Sequence, residues 1–362
     1  MKRINLVVAA ILIGLAVALT YFCFEWLVRV AIDTVWNDFL HVDEHKWRVV
    51  PVCVALTVLY FGAVHVFDRK SEPGEAGALG KVPQPTMRNL VLVLGIGLLS
   101  LLAGASLGPE AILVPACVVI GGIIGQKLRS SDSRLMGALG FIGLLAAFFN
   151  SFIVGMLGIL LVGKQFGLKL SARLIILSIL ACLSVVGLLH VLEGESYVAG
   201  VGNVWSVQWP GLLWLAVVAI ACYLLVYVLH LLSSVSLAVL KSTRNMQWWQ
   251  KALIAGGGLS LLYFVASPLI WFTGNESVRP LIAESAVLGV SGLVIICITK
   301  LAAMAWSKVS GYRGGLIFPL VLVIVAVVST AHLYTDSFGV AIGLVVGMVG
   351  ALVADHKLKV LL

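Results

Sequence analysis

Charge is what this chain has least of. Only 11% of its 362 residues are Asp, Glu, Lys or Arg, against 61% that are hydrophobic. Water-soluble domains carry about 25% charged and 45–50% apolar residues. A soluble globular fold is therefore excluded, because no single core hides this much apolar surface. The short alternating segments of a membrane β-barrel are lacking as well. No C-x-x-C occurs: Cys23, Cys53, Cys117, Cys182, Cys222 and Cys297 stand singly in apolar runs. Their natural reading is small apolar core residues, not a disulfide framework or a thiolate metal centre. The seven histidines give neither H-E-x-x-H nor an i,i+4 pair within an apolar run, which speaks against a zinc protease. No cofactor is expected, and no catalytic constellation marks an enzyme.

Long hydrophobic runs are what the chain has in plenty. A helix that spans a bilayer takes about 20 apolar residues. Such runs cover 5–28, 47–67, 89–107, 110–126, 134–163, 172–192, 211–240, 252–272, 280–306, 315–334 and 338–354. The 134–163 run divides into two pieces, and several others are short or broken by Gly and Pro. The expected fold class is all-α, a polytopic membrane protein. Met1-Lys2-Arg3 leads into a run that continues to about Val28 without an A-x-A cleavage cue, so a retained first helix is expected rather than a signal peptide. The net charge is +8. Lys2 and Arg3 precede the first run, Asp33, Asp38, Asp43 and Glu44 follow it, and Arg69, Lys70, Lys81 and Arg88 follow the second. This alternation predicts a cytoplasmic N-terminus in the cell membrane. The basic balance needs no nucleic acid, since it can face anionic lipid.

The richest polar interruption, 193–209, lies near the midpoint of the chain. It suggests a first membrane half at 1–193, a linker at 194–209 and a second half at 210–362. Each half holds one glycine-rich stretch that ends in proline and enters an apolar run. These are Gly104–Pro109 and Ser310–Pro319, with their prolines 210 positions apart. Corresponding Gly/Pro breaks in two halves point to a transport site. Gly256-Gly257-Gly258 reads instead as close helix packing.

Gly104-Ala105-Ser106-Leu107-Gly108 also spells G-x-S-x-G. A nucleophile elbow would follow a strand and precede an Asp and a His partner. Here a membrane-length apolar run precedes it and no such pair is evident. A helix start fits better. Pro109 suits the first helical position, Gly108 the N-cap, and the amides of Ser106, Leu107 and Gly108 then have no partner in the preceding helix. Unpaired N–H groups at membrane depth each cost several kcal/mol, so a side chain, water or an anion must accept from them. The second stretch repeats the pattern, with Gly311, Gly314 and Gly315 before Leu316, Ile317, Phe318 and Pro319. Two helix starts aimed at one point make an anion site; two packing kinks are the alternative. A dry interior costs an ion on the order of 20 kcal/mol. A helix end returns only about 0.3–2 kcal/mol, and each charge-assisted hydrogen bond about 1.5–3 kcal/mol. Such a site must keep some water or borrow a cation such as Arg313, and it would release its ion, as conduction requires.

These stretches resemble the helix starts of the CLC family of chloride channels and proton-coupled chloride antiporters. The first reads Ala105-Ser106-Leu107-Gly108-Pro109 before Glu110, and the second Gly315-Leu316-Ile317-Phe318-Pro319 with Gly311 and Gly314 upstream. The branch with S-L-G-P-E and S-G-[FY]-R-G-G-x-I-F-P is the most similar. Phe148 to Leu161 is similar to the helix that follows the first motif, so the likeness spans about 90–335. It implies a homodimer, one anion pathway per subunit, and an inverted repeat of tilted, broken helices. It further implies that amides of Ser106, Leu107 and Gly108 line the outer pathway. Those of Leu316 and Ile317 line its centre, with Gly315 and Phe318 beside them.

Departures from the family are equally informative. The gating glutamate falls at Leu107, and the inner proton glutamate near Leu161 or Val162. The family's first glycine-serine motif has only Ser71 and Glu72–Gly77 in its place. Just 43 residues follow Pro319, so the final helices and their tyrosine are either cut off or their role is unfilled; Tyr312 is a substitute by proximity alone. Glu110 reads either as a partner for its own helix dipole or as a substitute gate that competes with the anion. Passive conduction of a small inorganic anion, chloride foremost, is expected. Proton-coupled exchange through Glu110, or a non-transporting homologue, are the alternatives.

Overall fold

The computed structural model describes residues 2–42, 44–68, 84–128, 132–194, 206–243 and 245–360. Among these there are twelve α-helices and no extended strand. They are α1 (Lys2–Ile32), α2 (Val49–Phe67), α3 (Met87–Leu102), α4 (Glu110–Lys127), α5 (Ser133–Phe149) and α6 (Phe152–Phe166). The remainder are α7 (Ala172–Val191), α8 (Trp209–Lys241), α9 (Trp248–Val265), α10 (Val278–Ser310), α11 (Ile317–His332) and α12 (Val340–Leu358). Seven segments are long and apolar enough to cross a membrane, and α3, α5, the described part of α6 and α11 are shorter apolar helices. The 134–163 run does divide in two. Asn150 takes the left-handed conformation (φ = 42°) and Ser151 caps α6 by accepting from the Val154 amide at 3.4 Å. The expected 252–272 span instead ends at Val265, ahead of Pro268, which opens a single tight turn. α10 is interrupted at Gly289, with φ = 60° and ψ = −175°.

The chain forms two compact units, Met1–Ala31 with Ala78–Leu98 and Ala111–Tyr197, and Ile32–Gly77 with Leu99–Glu110 and Val198–Leu362. Residues 32–77 and 99–110 thus belong to the second unit. Residues 195–205 of the expected linker, and Ser71 with Glu72–Gly77, lie outside the described residues.

In the first unit, helices approach to backbone contact. A side chain at Gly121 of α4 would collide with the Met136 carbonyl of α5, and one at Gly140 of α5 with the Cys117 carbonyl of α4. Gly14 of α1 meets Ala181 of α7 in the same way. Small residues at crossings are how helices pack where no hydrophobic force separates protein from solvent. In the second unit, α2 packs on α9, α8 on α12, and α10 on α8 and α11. Gly256 rests against Val54 and Thr57, and Gly258 under the Trp306 ring. The glycine triplet is thus a packing feature. Five of the six cysteines are buried and all six are free thiols.

Candidate anion site

Both glycine–proline motifs, 99–110 and 310–319, lie in the second unit. α3 stops at Leu102 because Gly104 turns to φ = 96°, which only glycine reaches without strain. From there to Pro109 the backbone is not helical, and its carbonyls need donors from elsewhere. Trp36 Nε1 donates to Leu102 O at 2.9 Å, and Cys53 Sγ to Ala103 O at 3.4 Å. The Tyr263 hydroxyl donates to Gly104 O at 2.7 Å, and the Thr273 hydroxyl to Leu107 O at 2.8 Å. Peptide units are planar and trans, so a carbonyl turned outward sends the following amide the other way. The Ser106 amide donates to Ser307 Oγ at 3.1 Å. The Gly108 amide donates to Gly315 O and the Gly315 amide to Gly108 O, both at 2.8 Å. This reciprocal pair joins the two motifs. The Leu107 and Leu316 amides flank it and have no acceptor among the described residues.

The second motif is held from its other end. α10 closes at Gly311, φ = 98°, with the Tyr60 hydroxyl donating to Gly311 O at 2.9 Å and the Arg313 amide to Ser100 Oγ at 2.8 Å. No side chain of its own motif caps α11. Glu110 does so from across the site: the Ile317 amide donates to Oε1 at 2.8 Å and the Phe318 amide at 3.4 Å. Glu110 is only 4% exposed. Its Oε2 is buried without a hydrogen-bond partner among the described residues, as are Ser106 Oγ and Ser310 Oγ. The Lys308 ammonium, in the last turn of α10, interacts electrostatically with the carboxylate. Added side chains at Gly108 or Gly315 would collide with that carboxylate, and one at Gly314 with Leu107.

The structure thus brings Ser106, Leu107, Gly108, Glu110, Gly315, Leu316, Ile317 and Phe318 together, and it corrects several expectations. The Ser106 and Gly108 amides do not wait for a ligand. Ser307 accepts from one and Gly315 from the other, because the motifs approach closely enough to pair. Glu110 serves the start of α11 as well as heading α4. Arg313 is no open anion attractor, since its guanidinium is paired with the Asp68 carboxylate. Tyr312 is also committed, its hydroxyl 2.6 Å from Thr57 Oγ1 and its ring stacked on Tyr60 at 5.6 Å. Sequence reasoning missed Trp36, Cys53, Tyr263, Thr273, Ser307 and Lys308. A lysine in the last turn of an apolar helix is a readable signal. Single polar groups in Trp36 or Cys53 are not, because nothing local ties them to Leu102 or Ala103.

Broken helices, two paired glycine–proline starts and a carboxylate on helix-start amides define a multi-pass membrane protein of the CLC transporter fold. A slow cyanobacterial Cl⁻/H⁺ antiporter superposes with a TM-score of 0.75 at 17% identity, over 98% of this chain and 95% of its own. A CLC-type fluoride/proton antiporter superposes at 0.68 and 18% identity, over 96% and 86% of the two chains. The family model described as voltage gated chloride channel matches residues 70–358, and the chain belongs to that family. An Escherichia coli protein named "Putative ion-transport protein YfeO" is 33% identical over 89 residues, 25% of this chain and 21% of its own length. The match therefore covers about a fifth of that relative.

Proposed function

We propose that this protein carries a small inorganic anion, chloride foremost, passively across a cell membrane, with Glu110 as a tethered competitor for the site. One observation carries this reading: Glu110 Oε1 takes the Ile317 and Phe318 amides at the start of α11. A carboxylate oxygen is itself an anionic acceptor, so a position that suits it suits a free anion. When the carboxylate withdraws, those two amides join the Leu107 and Leu316 amides in facing a guest. Ser106 Oγ and Ser310 Oγ, buried without partners, add hydroxyl donors. Leu107, where the family resemblance places a gating glutamate, cannot ionise. Lys308 offsets part of the desolvation cost that amides alone cannot meet. A homodimer with its N-terminus in the cytoplasm, organised as the two halves 1–193 and 210–362, completes the proposal.

Proton-coupled exchange is the second reading, and the partnerless Oε2 of Glu110 favours it as a place for a proton. Liposome flux separates the two. Chloride should run down its gradient without moving protons. A fixed proton-to-chloride ratio that Glu110→Gln abolishes would replace conduction by exchange. Flux no greater than from empty liposomes would mark a non-transporting relative.

A further inference from the structure

Lys300 lies in α10 among apolar neighbours and has no exposed surface. Lysines are almost never fully buried unless paired, and an ionisable group inside a spanning helix is functional by default. Its Nζ donates to two carbonyls, Ile270 O at 3.0 Å and Phe272 O at 2.6 Å. Ile270 closes the tight turn opened by Pro268, and Phe272 lies in the non-helical strap that follows, 271–274, in which Phe272 has φ = 51° and Gly274 φ = 85°. A phenylalanine in that region is strained and needs outside support. The strap is held at Phe272, whose amide donates to the Tyr263 hydroxyl at 2.8 Å and whose ring meets Trp36 edge-on at 4.9 Å. The next residue is Thr273, whose hydroxyl reaches Leu107 O at 2.8 Å.

The Leu107 carbonyl and the Gly108 amide are two ends of one planar group. Thr273 fixes its oxygen, and Gly315 O fixes its nitrogen at 2.8 Å. Rotating that plane would break the bridge between the motifs. On α10, Lys300 precedes Ser307 by two helical turns and so shares its face. Ser307 accepts from the neighbouring Ser106 amide. One face of α10 therefore grips the first motif twice, directly at Ser307 and through the strap at Lys300.

We propose that Lys300 is a positioning residue: by clamping the strap it sets, through Thr273, the orientation of the 107–108 peptide that bridges the two motifs. The anion need not touch it. Its consequence for transport rests on the function proposed above; its consequence for the peptide does not. The test compares K300M, T273V, T273S and the K300M/T273V pair in the full chain. Deuterium exchange in micelles is read on peptides covering 104–109, and the chloride-to-nitrate permeability ratio is read in liposomes. K300M and T273V should each speed exchange and shift the ratio about fivefold, the factor of one hydrogen bond of ordinary net strength. The double variant should add nothing to either, and T273S, which keeps the donor, should match the parent protein. Unchanged exchange in K300M, or additive effects in the pair, would overturn the proposal. Should K300M fail to fold, T273V decides, because unchanged exchange there would show that the Thr273 bond does not set the 107–108 peptide. Faster exchange in a protein without anion flux would uphold the positioning role and defeat the transport reading instead.

Discussion

At 102–107 distant side chains hold the backbone mainly by its oxygens, the Ser106 amide on Ser307 being the exception, and at 317–318 by its nitrogens. The first stretch is tied by four donors from distant positions, Trp36, Cys53, Tyr263 and Thr273. The second is tied by one carboxylate. A tie made of neutral side chains packed in a core is broken only by disturbing that core. A tie made by an anionic oxygen is one that another anion can imitate, and exchanging the two leaves the count of charge-assisted bonds nearly unchanged. In the proposed transport reading, the first motif is then the fixed wall of the site and the second is the surface where occupancy changes.

The sharpest way to break the contrast is Glu110→Ala. With the competitor gone, chloride or nitrate should bind at least about tenfold more tightly, the factor of one charge-assisted hydrogen bond, in titration calorimetry on micelles. Unchanged or weaker binding would mean that the carboxylate does not stand in for a guest. Gly315→Ala comes next. Its new methyl must expel the carboxylate, so anion affinity should rise as in Glu110→Ala. Overpacking should meanwhile lower stability by about 1–3 kcal/mol, seen as a fall in Tm. Tyr263→Phe probes the wall together with the strap behind it, since its hydroxyl donates to Gly104 O and accepts from the Phe272 amide. It should lower stability by about 1–3 kcal/mol in the same melts and leave anion affinity as it was; an affinity change of tenfold would blur the division between wall and surface. Asp68→Asn should do least. The pair with Arg313 is partly exposed, and such pairs contribute about 0–1 kcal/mol, so chloride flux should hold steady within experimental scatter.

Much of this was legible in the residues. Pro109 and Pro319 announce helix starts, Gly104 and Gly311 the turns before them, and Asn150-Ser151 sits where one apolar run becomes two helices. What stayed hidden depends on distance in the chain. The Gly108–Gly315 pairing closes a gap of about two hundred residues, and no local pattern shows that two glycines exchange hydrogen bonds. Arg313 looked like an open charge because its partner, Asp68, ends a helix in another part of the sequence. Lys300 carried a visible warning, an ionisable group in a hydrophobic run, yet its acceptors are backbone carbonyls, which leave no mark on composition. The short helices also blurred the span count: α3, α5 and α11 are apolar enough for a bilayer but too short to be read as full crossings.

Because the Glu110 carboxylate lies over the α-carbons of both Gly108 and Gly315, these three positions form one heritable unit. A lineage that gives either glycine a side chain loses the acidic group's resting place, whereas one that loses the acid relieves Gly315 but leaves Gly108 still crowded by Phe318. Among descendants of this gene the acid should not outlast either glycine.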